Sequence, residues 1–188
     1  MSFTVIYDAC VLYPAPLRDL LVRLAMSGIV RARWTDQILD EVFRNIAKDR
    51  PDLDTGRLRR TRDLMNAAVR DVLVGGYEPL IDSLDLPDPD DRHVLAAAIR
   101  CGAQCIVTRN LRDFPSEKLE RWGIEALHPD DFVMAQLDLA PGVVLQKLNE
   151  QVSALKNPPL CLEELLDLLE TNGLVRSMAE VRRLVRGI

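Results

Sequence analysis

A three-layer α/β/α architecture, with a central parallel sheet and a small C-terminal helical appendage, is what this sequence predicts. Three observations lead there. Short β-branched or aromatic runs alternate with helically spaced apolar stripes along the first 140 residues. Gly and Pro punctuate the switches between the two periods. Acidic side chains recur where a strand ends or a helix begins. At 188 residues and 48% hydrophobic, the chain has enough apolar surface for one good core.

The elements follow in order. Phe3 to Tyr7 is a short buried strand that ends at Asp8. After the bend Tyr13-Pro14-Ala15-Pro16, the residues Leu17, Leu20, Leu21, Leu24 and Ala25 share one helix face, and Gly28 ends that helix. Val30 to Trp34 is a second strand. Thr35 caps a helix carrying Ile38, Leu39, Val42, Phe43 and Ile46. Arg50-Pro51-Asp52 breaks the pattern, and a charged helix runs through Leu58, Leu64, Met65 and Ala68. Val69 to Val74 reads as another strand, closed by Gly75-Gly76. The Pro/Asp loop Leu86 to Asp91 opens an apolar helix, Val94 to Arg100, which Gly102 ends. Cys105 to Thr108 and Ile124 to Leu127 are the last strands, and Asp130-Asp131 starts a helix through Met134 and Leu137.

Pro141-Gly142 marks a boundary, dividing the chain into a domain at 1–140 and an α-helical region at 141–188. Helices are expected there near Val143–Leu155, Leu162–Glu170 and Met178–Val185.

Composition excludes several classes. A net charge of −5 and a pI near 5.1 argue against a protein that coats nucleic acid. No uncharged apolar run reaches the roughly 18–20 residues of a membrane span. The start, MSFTVIYDAC, enters a strand pattern without a secretory leader, so a cytoplasmic location is expected. Cys10, Cys101, Cys105 and Cys161 form no C-x-x-C pair and read as small apolar residues of a reducing compartment. No G-x-G-x-x-G or Walker A run is present. A phosphatase of the Asp-x-Asp type is disfavoured because Cys10 stands at the second acid, and a receiver domain because no Lys follows Thr108.

The acids carry the chemistry. Asp8 closes the first strand, where ligands of parallel sheets bind; a loop Asp capping the next helix is the plainer use. Glu41 lies at the edge of a buried helical stripe, where a solvated Glu is the default. Asp88-Pro89-Asp90-Asp91 is good helix-start chemistry in its own right. Thr108-Arg109-Asn110 and Asp113 are turn residues that also offer oxygen ligands at the same sheet edge. Gathering these groups concentrates repulsion, and the usual reason to do so is a hard divalent cation.

The order and spacing of these segments resemble the PIN-domain ribonucleases, in particular the VapC-like toxins of type II toxin–antitoxin systems. The match runs from the start to about Asp131, and its most specific stretch is DPDDRHVLAAAIRCGAQCIVTRNLRDF. The resemblance implies a PIN-like fold and Mg²⁺- or Mn²⁺-dependent endonucleolytic cleavage of RNA. It implies Asp8, Glu41 and Asp91 as acidic ligands, with Asp91 preferred to Asp88 and Asp90. The fourth acidic position falls on Asn110, which lacks the charge, so Asp113 becomes a candidate to act with the other acids. An RNA substrate (tRNA, rRNA or mRNA) and an inhibitory antitoxin protein are the implied partners. A catalytically decayed RNA- or protein-binding module is the alternative, with Asn110 as its trace.

Arg109 and Arg112 flank the site and are expected to contact the RNA backbone, together with Arg18 and Thr108. Arg59, Arg60 and Arg62 suit a solvated helix face, and His93 and His128 a structural role. The apolar stripes Leu17–Leu24 and Leu162–Leu169 suit core packing first, and a groove or homodimer face second.

Overall fold

A computed structural model describes residues 3–187. Strand β1 (Phe3–Tyr7) is followed by the single turn α1 (Ala9–Leu12), then α2 (Ala15–Met26) and β2 (Val30–Arg33). Helices α3 (Asp36–Asp49) and α4 (Thr55–Ala68) and the short α5 (Glu78–Ile81) precede α6 (Arg92–Cys101) and β3 (Cys105–Val107). A turn of helix, α7 (Ser116–Leu119), leads to β4 (Glu125–Leu127). The chain ends in α8 (Pro129–Leu139), α9 (Pro141–Ala154), α10 (Leu162–Thr171) and α11 (Val175–Arg186).

The strands form one parallel sheet in the order β2-β1-β3-β4. From β1 the chain runs outward to β2 on one side, then crosses back past β1 to β3 and on to β4 on the other. The strand order therefore reverses between β1 and β3, and the crevice at their carboxyl ends is where such sheets bind ligands. Asp8 and Thr108 are the first residues beyond those two strands.

The local chemistry expected from sequence is present at the caps. Thr35 Oγ1 accepts from the Ile38 N–H at 3.0 Å. Gly102 adopts φ +64 beyond the end of α6, a left-handed C-cap that costs glycine nothing. Val94, Leu95, Ala96, Ala97 and Ala98 of α6 are buried, and the small size of the three alanines lets the helix pack closely on β1 and β3. Burying Val94 and Leu95 contributes roughly 1.5–3 kcal/mol each. Tyr7 meets Phe132 of α8 edge-on, with ring centroids 5.9 Å apart, and its hydroxyl donates to the Leu21 carbonyl. One aromatic ring thus joins β1 to α2 and α8. Leu17, Leu20, Leu21 and Leu24 are fully buried, as are Leu165 and Leu169, so both apolar stripes pack into the core.

The expected strand at Val69 to Val74 does not form. Asp71 takes φ +52, which interrupts the extended backbone in mid-run. What remains is one parallel bridge, Trp34 to Leu73, with the Trp34 N–H donating to Val72 O at 3.1 Å.

Buried Asp130, in the first turn of α8, fastens the C-terminal helices. Its carboxylate accepts from the Arg176 N–H (2.9 Å), the Ser177 N–H (2.8 Å) and the Ser177 hydroxyl (2.6 Å). A carboxylate thereby caps the N-terminus of α11 across 46 residues of chain. Arg182 of α11 pairs with Glu163, Asp167 and Glu170 of α10. Between α2, α4 and α10 lies an apolar groove of about 490 Å³, lined in part by Val22, Met26, Leu64 and Leu168. Among the described residues no helix is long and apolar enough to cross a membrane.

Asp130→Ala leaves the buried Ser177 N–H and hydroxyl without their charged acceptor. The expected loss is about 3 kcal/mol of unfolding free energy, on the scale of hydrogen bonds to a buried charge. Urea denaturation of the two proteins, monitored by circular dichroism, measures it.

Candidate active site

Asp8 ends β1 and starts α1, and it is almost fully buried. Its Oδ1 accepts from the Ala9 N–H at 2.7 Å, so it is the helix cap that sequence allowed. Its Oδ2 accepts from the Thr108 hydroxyl at 2.7 Å and lies 3.0 Å from the Cys10 thiol. The two uses of Asp8 are therefore compatible: one oxygen caps, and the other faces the end of β3. Burial, then the charge of Asp8, pushes the Cys10 thiol up to about 12, so it stays protonated and donates.

Thr108 is fully buried, which corrects the expectation that it touches RNA. Its hydroxyl donates to Asp8 while its oxygen accepts from the Asn110 N–H at 3.0 Å. One side chain thus ties two proposed ligand positions together across the crevice.

Glu41 sits half-buried on the second turn of α3. Burial raises its pKa, and Asp8, Asp90 and Asp88 raise it further, while Arg44 on the same helix lowers it. Asp88 and Asp90 are exposed, and Asp88 spends one oxygen on the Asp90 N–H at 2.9 Å. Asp91 is half-buried at the junction with α6. Its carboxyl is pushed up to about 7, by burial first and then by Asp8, Asp88, Asp113 and Glu41. Asp91 is thus the half-buried acid of this loop, while Asp88 and Asp90 act on Glu41 from exposed positions. Asp113 is half-buried in the turn after β3, where its N–H donates to the Asn110 carbonyl; Asn110 is exposed at the rim.

The arginines divide. Arg18 donates to the Leu12 carbonyl (2.7 Å) and the Tyr13 carbonyl (3.0 Å), so its guanidinium closes the end of α1 and is not free for RNA. Arg109 donates to the Asn172 carbonyl. Arg112 is exposed and has no ion pair among the described residues. Arg62 is engaged by Asp36 and Asp40, whereas Arg59 and Arg60 are exposed.

His128 caps α8, accepting from the Asp130 N–H at 3.2 Å, as its structural reading expected. His93, also expected to be structural, lies close to Glu41. It is buried in the first turn of α6, with Nε2 4.0 Å from Glu41 and Nδ1 without a partner among the described residues. Burial lowers its pKa, which favours the neutral ring.

Several carboxylates share a crevice where only hydroxyl, thiol and backbone groups answer Asp8. This hard-oxygen set suits a hydrated divalent cation, which needs only one or two direct carboxylates and keeps several waters. Among the described residues no three His, Cys, Asp or Glu side chains close into a ready-made chelate.

Fold and site together define an acid-lined, switch-point α/β domain. Residues 4–112 match the model of the PIN domain, and the chain belongs to the PIN-domain family. Residues 129–183 match a second model, the VapC50 C-terminal domain. A curated relative from Mycobacterium tuberculosis (strain ATCC 25618 / H37Rv), named "Putative ribonuclease VapC50", is 45% identical over 94 residues, covering 50% of this chain and 55% of the relative. The chain thus matches little more than half the length of that relative. No solved structure matches this chain significantly.

The raised acid gives a pH dependence with a definite sign. Asp91 titrates near 7 when folded, against about 3.9 in an unfolded chain. At this group the folded state therefore binds more protons across that window, so the Asp91 contribution to metal-free stability is full below about pH 4 and is lost as pH rises through about 7. Thermal melts in EDTA between pH 4 and 8 test this. Asp91→Asn flattens the decline, and an unchanged slope in that variant refutes the assignment.

Proposed function

We propose that this protein is a Mg²⁺- or Mn²⁺-dependent endoribonuclease and the toxin of a toxin–antitoxin pair. The observation that supports it best is the repulsive cluster of Asp8, Glu41 and Asp91 at the switch point of a PIN-domain sheet. In this reading those three acids hold the cation, and Asn110 offers a neutral oxygen at the fourth position. Asp113 supplies the charge that Asn110 lacks, since its field already reaches Asp91.

When bound, the cation lowers the pKa of a water and offsets charge developing on the phosphate oxygens. The chain does the rest. Thr108 holds the Asp8 carboxylate in one orientation. Glu41 and Asp91 orient the attacking water and accept its proton at a carboxylate oxygen. A P–O bond forms to that water as the in-line P–O bond to the leaving ribose oxygen breaks, and that oxygen takes up a proton from solvent to leave as a hydroxyl. Arg112 contacts the RNA backbone from the rim.

The division at residue 140 belongs to the same proposal: residues 1–140 carry the chemistry and 141–188 support it. An antitoxin protein is the proposed inhibitor, and the apolar groove beside Met26, Leu64 and Leu168 offers it surface. A homodimer would use the same kind of surface. Four free cysteines, with no disulfide among them, suit the reducing cytoplasm.

Incubating a mixed tRNA and rRNA pool with purified protein tests the reading, with Mn²⁺ or Mg²⁺, with EDTA, and beside Asp8→Asn. Discrete cleavage that EDTA abolishes is expected. Asp8→Asn keeps the fold and loses roughly 100-fold or more in rate, the scale of several kcal/mol of lost transition-state stabilisation. No cleavage and no Mn²⁺ binding in the native protein would instead support the decayed binding module.

A further inference from the structure

We infer that Arg109 is a positioning residue that latches the loop 108–113 of the active site to the end of α10. The effect of this latch on cleavage rests on the nuclease reading above; the latch itself does not. Arg109 Nη2 donates to the backbone carbonyl of Asn172, the C-cap of α10. The last carbonyls of a helix lack partners and carry the negative end of its dipole, so a guanidinium is well matched to them.

The backbone of Arg109 faces the other way. Its N–H donates to Cys10 Sγ at 3.2 Å, and that sulfur lies 3.0 Å from Asp8 Oδ2 and 3.3 Å from Thr108 Oγ1. The neighbouring Asn110 N–H donates to Thr108 Oγ1. One residue therefore spans the hydrogen-bond network of Asp8 and the C-terminal helices.

Those helices are a firm anchor. The Asp130 carboxylate holds the start of α11 by three hydrogen bonds, and Arg176 pairs with Asp131. Next to Asn172, Gly173 takes φ +92 beside the His128 ring, which itself caps α8. The expected RNA contact for Arg109 is displaced by this arrangement, because its guanidinium is already engaged and half-buried. The helices matched by the second family model thus acquire a role: they hold the loop bearing Asn110 and Asp113 in register with Asp8. Misplacement of a catalytic group by about 1 Å costs up to roughly 100-fold in rate.

The test compares full-length Arg109→Ala and Arg109→Lys with the native protein. Steady-state RNA cleavage, Mn²⁺ affinity and hydrogen–deuterium exchange at 108–113 are measured, with thermal melts to normalise for folded protein. In Arg109→Ala the expected result is a kcat lower by about tenfold or more with KM for RNA within about threefold. Exchange at 108–113 speeds up, and Mn²⁺ binds more weakly. Arg109→Lys recovers most of the rate, since its ammonium still donates to a carbonyl.

A raised KM with unchanged kcat and a shallower salt dependence would make Arg109 a phosphate contact and overturn the proposal. A lower melting temperature with unchanged kcat and exchange would overturn it as well. If Arg109→Ala fails to fold, faster exchange at 108–113 in folded Arg109→Lys supports the latch, and native exchange with native kcat refutes it. If the native protein cleaves no RNA, the nuclease reading fails separately, and exchange decides: faster in the variants supports the latch, unchanged refutes it.

Discussion

The hydrogen bond from Thr108 to Asp8 is the interaction on which the rest of the site depends. It runs between the residues just past β1 and β3, the two strands flanking the reversal of strand order. Both partners are buried, so the bond is made in a low dielectric and Asp8 keeps one orientation. Asp8 Oδ1 meanwhile starts α1, and the Thr108 oxygen fixes Asn110. A strand end, a helix start and a turn are thereby set by a carboxylate and a hydroxyl.

Around that anchor the fold accumulates charge at its own expense. Glu41 arrives on α3, fixed by the Thr35 cap, and Asp91 arrives at the start of α6, fixed by close packing of small residues on the sheet. Each is desolvated and feels the other acids. Nothing in folding requires such an arrangement. In the proposed reading a divalent cation is what makes it useful.

The helices after residue 140 complete the same design. Hydrophobic burial of Leu165, Leu169 and Met178 gives them a core in common with the sheet domain, and Asp130 gives them register. Arg109 carries that register to the crevice. Proximity in space, and not in sequence, links the two halves of the chain.

Much of this was legible in the residues. Strand and helix periods placed nearly every long element, because core-facing positions repeat every two or 3.6 residues whatever the neighbours are. Capping chemistry marked Thr35, Asp88 and Gly102, which act within their own few residues. The acids were visible by kind. Three matters were settled only by the tertiary structure. Val69 to Val74 has strand composition, yet the turn at Asp71 spoils it. Asp88, Asp90 and Asp91 are equivalent as helix-start acids, and only the fold leaves Asp88 and Asp90 exposed while it half-buries Asp91. Thr108, Arg18 and Arg109 have the side chains of RNA contacts, but each finds a protein partner from 5 to 100 residues away. A pattern of short range fixes an element, whereas the partner of a polar group is decided by whichever atoms the fold brings within hydrogen-bonding distance.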